Sequence, residues 1–258
     1  MSTSHDPPLL ELRDVTRSFG GLVAVNKLTF ALGEGEIVGL IGPNGAGKTT
    51  LFNTITGVYK PDSGTILFSG KNIVGQKPHR IAQLGISRTF QTVRPLPRMT
   101  VLENTMMGSL FGRENTLSTR VAKERAVEIL GFTDLQKKAD VLAANLTLAE
   151  QRRLELARSL ATQPRLLMLD EVMAGLNLVE ISQTLDLLSR LNRDKKITLL
   201  VIEHVMRAVM KLCTRIIVID HGSLIAQGTP SEIVKDEAVI AAYMGEKKAG
   251  RIPAKNSV

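Results

Sequence analysis

Residues 36–55 read EIVGLIGPNGAGKTTLFNTI. An apolar run, EIVGLI, leads into Gly42-Pro43-Asn44-Gly45-Ala46-Gly47-Lys48-Thr49, and KTTLFNTI (48–55) is helix-prone. The spacing is GxxxxGK[ST], set between a strand and a helix as that motif requires. Its glycines let the backbone curl until several N–H groups face inward as an anion nest. The following helix turns the positive end of its dipole to the same point. Lys48 can reach the terminal phosphates of a nucleoside triphosphate, and the Thr49 hydroxyl can ligate Mg²⁺.

Outward from this loop, further apolar runs recur at wide intervals. They are RLLMLD (165–170), ITLLVI (197–202) and RIIVID (215–220). Each is continuous rather than alternating, as strands covered on both faces of a parallel sheet are. Helical spacing separates them: Ile181, Leu185 and Leu188 on one segment, and Leu154, Ala157 and Ala161 on another. The pattern predicts an α/β fold with a parallel core and crossover connections, which together with the phosphate loop resembles the P-loop NTPase (RecA-like) core. LLMLDE (166–171) ends in two adjacent carboxylates. Asp170 would hold Mg²⁺, and Glu171 would polarise the water that attacks a γ-phosphate.

The N-terminal stretches 9–15 and 24–32, with Phe19-Gly20-Gly21 between them, and 65–68 read as a small antiparallel layer. Residues 92–163 show helices without a strong strand run. His221-Gly222 to Gly228 reads as a hairpin, followed by one amphipathic helix over 232–245. The expected organisation is a single domain over 1–258. It has a nucleotide-binding core from about 1–91 and 164–245, a helical subdomain at 92–163 and a basic tail at 246–258.

Composition narrows the function. The 258 residues are 43% hydrophobic and 22% charged, ordinary for a globular chain. A single cysteine, Cys213, excludes an intrachain disulfide framework. No run approaches the ~20 apolar residues of a membrane span, and no secretory leader is evident at the N-terminus, so a soluble, intracellular protein is expected. The net charge is +8, and part of it sits in the tail, on Lys247, Lys248, Arg251 and Lys255 against Glu246. A frayed, solvated terminus explains that tail. With aromatics at 3% and no tryptophan, a base-stacking surface has little to build from, and no nucleic-acid partner is expected.

Taken together and in this order, these elements resemble the ATPase subunits of ABC transporters, over nearly the whole chain. The resemblance implies an ABC ATPase fold with ATP and Mg²⁺ as its cofactors. Phe19 stands where that family carries an aromatic that stacks on adenine, and Val25 joins the cofactor-binding set with Gly42 to Thr50. Gln91, in RTFQ, matches the Q-loop, a metal ligand with Thr49 and Asp170 and a link to the membrane partner. His204, after ITLLVIE, matches the switch histidine that contacts the γ-phosphate beside Glu171. AGLN (174–177) stands at the D-loop. FGGLVAV, RTFQTVRPLPRMTVLENTMMG, EQRRLELARSLA and VIAAYMG resemble ATPases of the branched-chain amino-acid type of uptake system. That subgroup implies two permease subunits, a second ABC ATPase in a hetero- or homodimer, and a periplasmic solute-binding protein. It places the chain at the cytoplasmic face of the cell membrane. The solute would be an amino acid, an amide, urea or a related small compound.

The signature motif departs from the family. Where LSGGQ or LSYGQ is usual, this chain has Leu146-Thr147-Leu148-Ala149-Glu150. The Ala149 Cβ replaces a glycine at close approach to phosphate, and Glu150 puts a carboxylate near phosphate charge. Thr147-x-x-Glu150 also reads as a helix capping box. Arg88, Arg94 and Arg98 flank Gln91 as a permease contact or a plain basic surface. Three rival readings are a GTPase or kinase, a soluble ABC ATPase outside transport, and a subunit that holds ATP with little hydrolysis. No NKxD guanine motif follows the loop, and there is neither a tandem unit nor a long coiled-coil insertion.

Overall fold

The computed structural model describes residues 7–91, 95–113 and 118–249. The hairpin β1 (Leu10–Phe19) and β2 (Leu22–Leu32) turns at Gly20-Gly21. Next come β3 (Ile37–Ile41), α1 (Lys48–Ile55), β4 (Ser63–Phe68) and β5 (Lys71–Asn72). β1, β2, β4 and β5 make an antiparallel sheet in the order β2-β1-β4-β5. Inward positions such as Leu10, Leu12 and Val15 alternate with more exposed ones, as half-buried strands do.

After α2 (Pro78–Leu84) comes β6 (Ile86–Arg88), and then three helices: α3 (Val101–Phe111), α4 (Thr119–Phe132) and α5 (Leu148–Ala161). The chain returns through β7 (Leu166–Asp170), α6 (Leu178–Lys195), β8 (Thr198–Ile202), α7 (Met206–Leu212), β9 (Arg215–Asp220) and β10 (Ser223–Gly228). The second sheet has the order β10-β9-β3-β8-β7-β6. Its strands run parallel except β10, which pairs antiparallel with β9. β3, β7 and β8 are buried at every residue, which is why their sequences lack alternation.

Two apolar cores flank this sheet. Leu40, Met168, Leu200 and Ile217 pack with Phe52 of α1 and the inner face of the antiparallel sheet. Ile41, Leu169, Val201 and Val218 pack with Leu188 of α6 and Val209 of α7. Each such side chain contributes about 1.5–3 kcal/mol by leaving water. A third cluster, with Val101, Leu130, Leu146, Leu154 and Ala157, joins α3, α4 and α5.

Three expectations change. β6 adds a sixth strand that a three-residue run cannot announce by periodicity. The single helix expected at 232–245 is two, α8 (Pro230–Ile233) and α9 (Glu237–Ala249), with Asp236 between them accepting from the Val239 N–H at 3.1 Å. α9 also takes in Glu246, Lys247 and Lys248, which were assigned to the frayed tail. Arg251 and Lys255 lie outside the described residues. Among the described residues no helix is long and apolar enough to cross a membrane.

Candidate active site

The carboxyl ends of four neighbouring strands meet at one edge of the parallel sheet, where ligands of open α/β sheets bind. β3 ends at the phosphate loop, β7 at Asp170-Glu171, β8 just before His204 and β6 just before Gln91. Gly47 caps α1 at φ +97°, and a Cβ there would stand 2.1 Å from the Ala24 carbonyl oxygen. A Cβ on Gly42 would stand 2.0 Å from the Ile219 carbonyl oxygen. The backbones of β2 and β9 thus press on the loop, and only glycine fits. The buried Lys48 ammonium donates to the Gly42 and Pro43 carbonyls at 2.7 and 2.8 Å. It sits where a phosphate oxygen can take over those bonds, which are stronger when both partners are charged.

Glu171 follows β7 in a left-handed conformation, φ +52°, uncommon for a residue with a side chain. Its N–H donates to the Ile202 carbonyl at 2.9 Å and its carbonyl accepts from the Ala174 N–H at 3.2 Å, so the strain is pinned at both ends. Gln91 Nε2 donates to Glu171 Oε2 at 2.9 Å, and His204 Nε2 lies 2.9 Å from Glu171 Oε1. The structure therefore brings Gln91, Glu171 and His204 together around one carboxylate. Such a group can orient a water and take its proton.

Asp170 is 1% exposed. Its Oδ2 accepts from Arg88 Nη2 at 2.7 Å, while Arg88 Nη1 donates to Asn53 Oδ1 at 2.5 Å. Arg88 is therefore no surface cation: its side chain is 7% exposed, between the rings of Phe52 and Phe90. Asp170 Oδ1 is buried and has no hydrogen-bond partner among the described residues. An orphaned carboxylate oxygen at the end of β7, with the Thr49 hydroxyl and the Gln91 amide on the cleft wall, is a hard-oxygen donor chemistry that fits Mg²⁺.

Lys48, Gln91, Glu171 and His204 border a cleft of about 460 Å³ that is also lined by Phe19, Asn44 to Gly47, Thr49 and Thr50. Phe19 is 39% exposed on the cleft wall, in a T-shaped contact with Tyr59 at 5.1 Å and under the Arg17 guanidinium at 4.7 Å. Val25 does not join this set. It is fully buried, because the β1–β2 register shifts between Arg17/Val25 and Ser18/Val23 and turns it into the core. Leu22, Val23, Ala24 and His221 line the cleft instead; exposed apolar residues just after the Gly20-Gly21 turn were the available signal. Gly42, Pro43 and Asp170 stand outside the lining.

Thr147 to Glu150 lie at the start of α5 and do not line this cleft. The capping box is present: the Glu150 N–H donates to Thr147 Oγ1 at 3.4 Å, and the Thr147 N–H to Glu150 Oε2 at 3.0 Å. Burial opposes charge on Glu150, but an ion pair with Lys138 and the Thr147 N–H hold its pKa below the usual carboxylate value. Leu148 is 47% exposed at the outer end of the helix.

Cys213 is a packing residue, as expected; burial raises its thiol to about 12. His221 is solvent-facing, with Asp220 Oδ1 3.7 Å away. Arg94 lies outside the described residues. Beyond Gln91, a groove of about 610 Å³ is lined by Phe90, Leu96, Met107 and Phe111 among others. Phe90 and Phe111 are more than half exposed.

A phosphate loop at the end of one parallel strand, carboxylates at the end of another and an antiparallel sheet alongside define a P-loop NTPase built to bind and hydrolyse a nucleoside triphosphate. Residues 25–174 match the ABC transporter family, and residues 223–249 the branched-chain amino acid ATP-binding cassette transporter family. The chain is 44% identical to a high-affinity branched-chain amino acid transport ATP-binding protein, LivG, of Salmonella typhimurium, covering 93% of this chain and 98% of that one. The ADP conformation of an ATP-binding cassette of an ABC transporter is 31% identical, with a TM-score of 0.83 over 93% of this chain and 99% of that one. The dimeric structure of a bacterial ABC transporter cassette is 25% identical, with a TM-score of 0.77 over 86% and 98%. The chain belongs to the ABC transporter family, as an ATPase subunit of its branched-chain amino acid type.

Proposed function

We propose that this chain powers an importer of branched-chain amino acids or related small solutes, held at the cytoplasmic face of the cell membrane by two permease subunits. A second ABC ATPase, identical or different, would complete the nucleotide-bridged dimer, and a periplasmic binding protein would deliver solute. The observation that carries the chemistry is the Glu171 carboxylate held between Gln91 and His204 at the lip of the phosphate-loop cleft. The likeness to the transport ATPases carries the coupling to a membrane partner.

In this reading Lys48 and the loop N–H groups hold the β- and γ-phosphates. Phe19, with Val23 and Ala24, receives the adenine. Thr49, Asp170 and Gln91 would hold Mg²⁺, which when bound neutralises phosphate charge. Water oxygen attacks the γ-phosphorus, the bond to the β–γ bridging oxygen breaks, ADP leaves, and the water proton passes to Glu171. His204 orients Glu171 and faces the γ-phosphate. The exposed Phe90 and Phe111, with the half-buried Met107, would seat an apolar permease segment next to Gln91.

Each ATP of such a dimer faces the partner's signature. A partner with an intact signature completes the site built on Lys48 and Glu171, while Thr147 to Glu150 would serve the other site poorly. A mild-detergent pull-down of the tagged chain from its native membranes, with co-purifying chains identified by mass spectrometry, tests the assembly. Two permeases and an ABC ATPase support it; recovery without permeases removes transport from the account.

A further inference from the structure

The tip of the β1–β2 hairpin brings Phe19 to the cleft wall past the reach of the neighbouring strand. β1 pairs with β4 from Leu10 to Arg13 and again at Thr16, opposite Ser63, where β4 begins. Arg17, Ser18 and Phe19 run on beyond that point, paired with β2 alone among the described residues. The Asp62 side chain takes the place of the missing strand. Its Oδ2 accepts from the Ser18 N–H at 2.6 Å, and its Oδ1 from Arg17 Nη1 at 2.8 Å. Arg17 Nη1 also donates to the Lys60 carbonyl at 3.1 Å. The Ser18 N–H holds the Asp62 carboxyl below its ordinary range, and Arg17 adds to this against burial.

The same residues fasten the tip to the helix that opens at the phosphate loop. The Arg17 guanidinium lies 4.7 Å from the Phe19 ring centre and 5.8 Å from that of Tyr59, an attraction of cation for ring face. The Val58 and Tyr59 N–H groups donate to the Asn53 carbonyl, near the end of α1, at 2.9 and 3.0 Å. α1 starts at Lys48 and is about 12 Å long at 1.5 Å per residue. Lys48 and Phe19 both line the cleft. One path of bonded and packed groups therefore runs from Lys48 along α1 to Tyr59 and Asp62, and back through Arg17 to Phe19. It fixes the span between the phosphate end of the cleft and the ring.

We propose that Arg17 and Asp62 are positioning residues for the base of the nucleotide: clamped together, they hold the Phe19 ring at a set span from Lys48, so that the cleft prefers a nucleoside triphosphate to its bare phosphate chain. The proposal rests on the reading that Phe19 receives the adenine. Neither Arg17 nor Asp62 lines the cleft, so both act through Phe19. Arg17 supplies the cation over the ring, and Asp62 supplies the acceptor for the Ser18 backbone. Loss of either frees a tip whose turn, Gly20-Gly21, has no stiffness of its own. A loose Phe19 must be ordered when a base arrives. That cost falls on ATP and not on a ligand without a base.

The test is calorimetric titration of the full chain with MgATP and with magnesium tripolyphosphate, which keeps the phosphates and lacks ribose and base. Arg17→Met and Asp62→Ala should each weaken ATP about tenfold, within the range of base–aromatic stacking, and leave tripolyphosphate within about twofold. The double variant should lose little more than either single one, because the two residues act as a unit. Arg17→Lys keeps a cation near the ring and Asp62→Asn keeps an acceptor for the Ser18 N–H, so each should recover part of the loss. ATP affinity within about twofold of the parent in both Arg17→Met and Asp62→Ala overturns the proposal. So does an equal loss for tripolyphosphate, the mark of a purely structural role. Phe19→Ala separates this proposal from the reading beneath it and should weaken ATP at least about fivefold. If it does so while the clamp variants bind as the parent, the adenine reading stands and the proposal falls. If Phe19→Ala binds ATP as the parent does, the adenine reading falls and takes the proposal with it.

Discussion

Replacing Glu171 by glutamine removes one charge and almost no volume, and the site shows why it should stop turnover without emptying the cleft. The carboxylate is bonded at 2.9 Å on one oxygen by Gln91 and lies 2.9 Å from His204 on the other. A glutamine oxygen can still accept from Gln91 Nε2. Its NH₂ can donate to His204 Nε2 once the imidazole proton sits on Nδ1. The geometry survives, and the fold should change by less than about 1 kcal/mol. What disappears is the group that takes the proton from water. General-base catalysis contributes typically 10²–10⁴-fold, about 3–5 kcal/mol of barrier at 1.36 kcal/mol per decade. The phosphate loop and Lys48 are untouched, so ATP affinity should hold within about threefold. Phosphate release by the assembled complex and equilibrium ATP binding by the isolated chain measure the two quantities separately. A loss in kcat of less than tenfold, or equal losses in kcat and in affinity, would refute the assignment of Glu171 as the base. The matching change in a partner ATPase should cost less, because that site meets Thr147 to Glu150.

Other consequences are equally specific. Gly47→Ala places a Cβ 2.1 Å from the Ala24 oxygen at φ +97°, and calorimetry should show ATP affinity reduced by at least about 100-fold with the chain still folded. Glu203 is buried, accepts from the Met173 N–H at 2.8 Å and is raised to about 7 by burial and by Glu171 nearby. Its folded value lies above its unfolded one, so the native chain binds the extra proton between about pH 4.5 and 7. Stability from this group is therefore lost as pH rises through that window, and Glu203→Gln should be more stable than the parent at pH 8 by on the order of 1–3 kcal/mol in urea, and equal to it at pH 4.5. Thr147→Ala removes the cap of α5 and should cost about 1 kcal/mol, or about 2–4 °C in Tm. Ala149→Gly with Glu150→Gln should raise ATP turnover in an assembly where Thr147 to Glu150 faces ATP; unchanged turnover there would show that this end of α5 does not limit the reaction.

The parts of the site legible in the sequence are those whose chemistry fixes their spacing. The loop from Gly42 to Thr49 and the pair Asp170-Glu171 each sit at the end of an apolar strand, so neighbours along the chain carry the signal. Gln91 and His204 came through resemblance, and only the sheet order β8-β7-β6 puts them beside Glu171. Arg88 serves as neither a permease contact nor a basic surface: its partners, Asp170 and Asn53, lie 82 and 35 positions away, and nothing local distinguishes a buried arginine from a solvated one. Val25 came into the cofactor-binding set through resemblance, and the register shift that buries it is a pairing between strands that the sequence does not display.

Uptake of labelled leucine by cells lacking this chain, complemented with the wild-type chain or with Glu171→Gln, tests whether ATP hydrolysis at this site drives import. Uptake should be lost on deletion, restored by the wild type and not by Glu171→Gln, with both proteins recovered in equal amount at the membrane with their permeases. Uptake of leucine and related solutes that is indifferent to the deletion, or fully restored by Glu171→Gln, would contradict it.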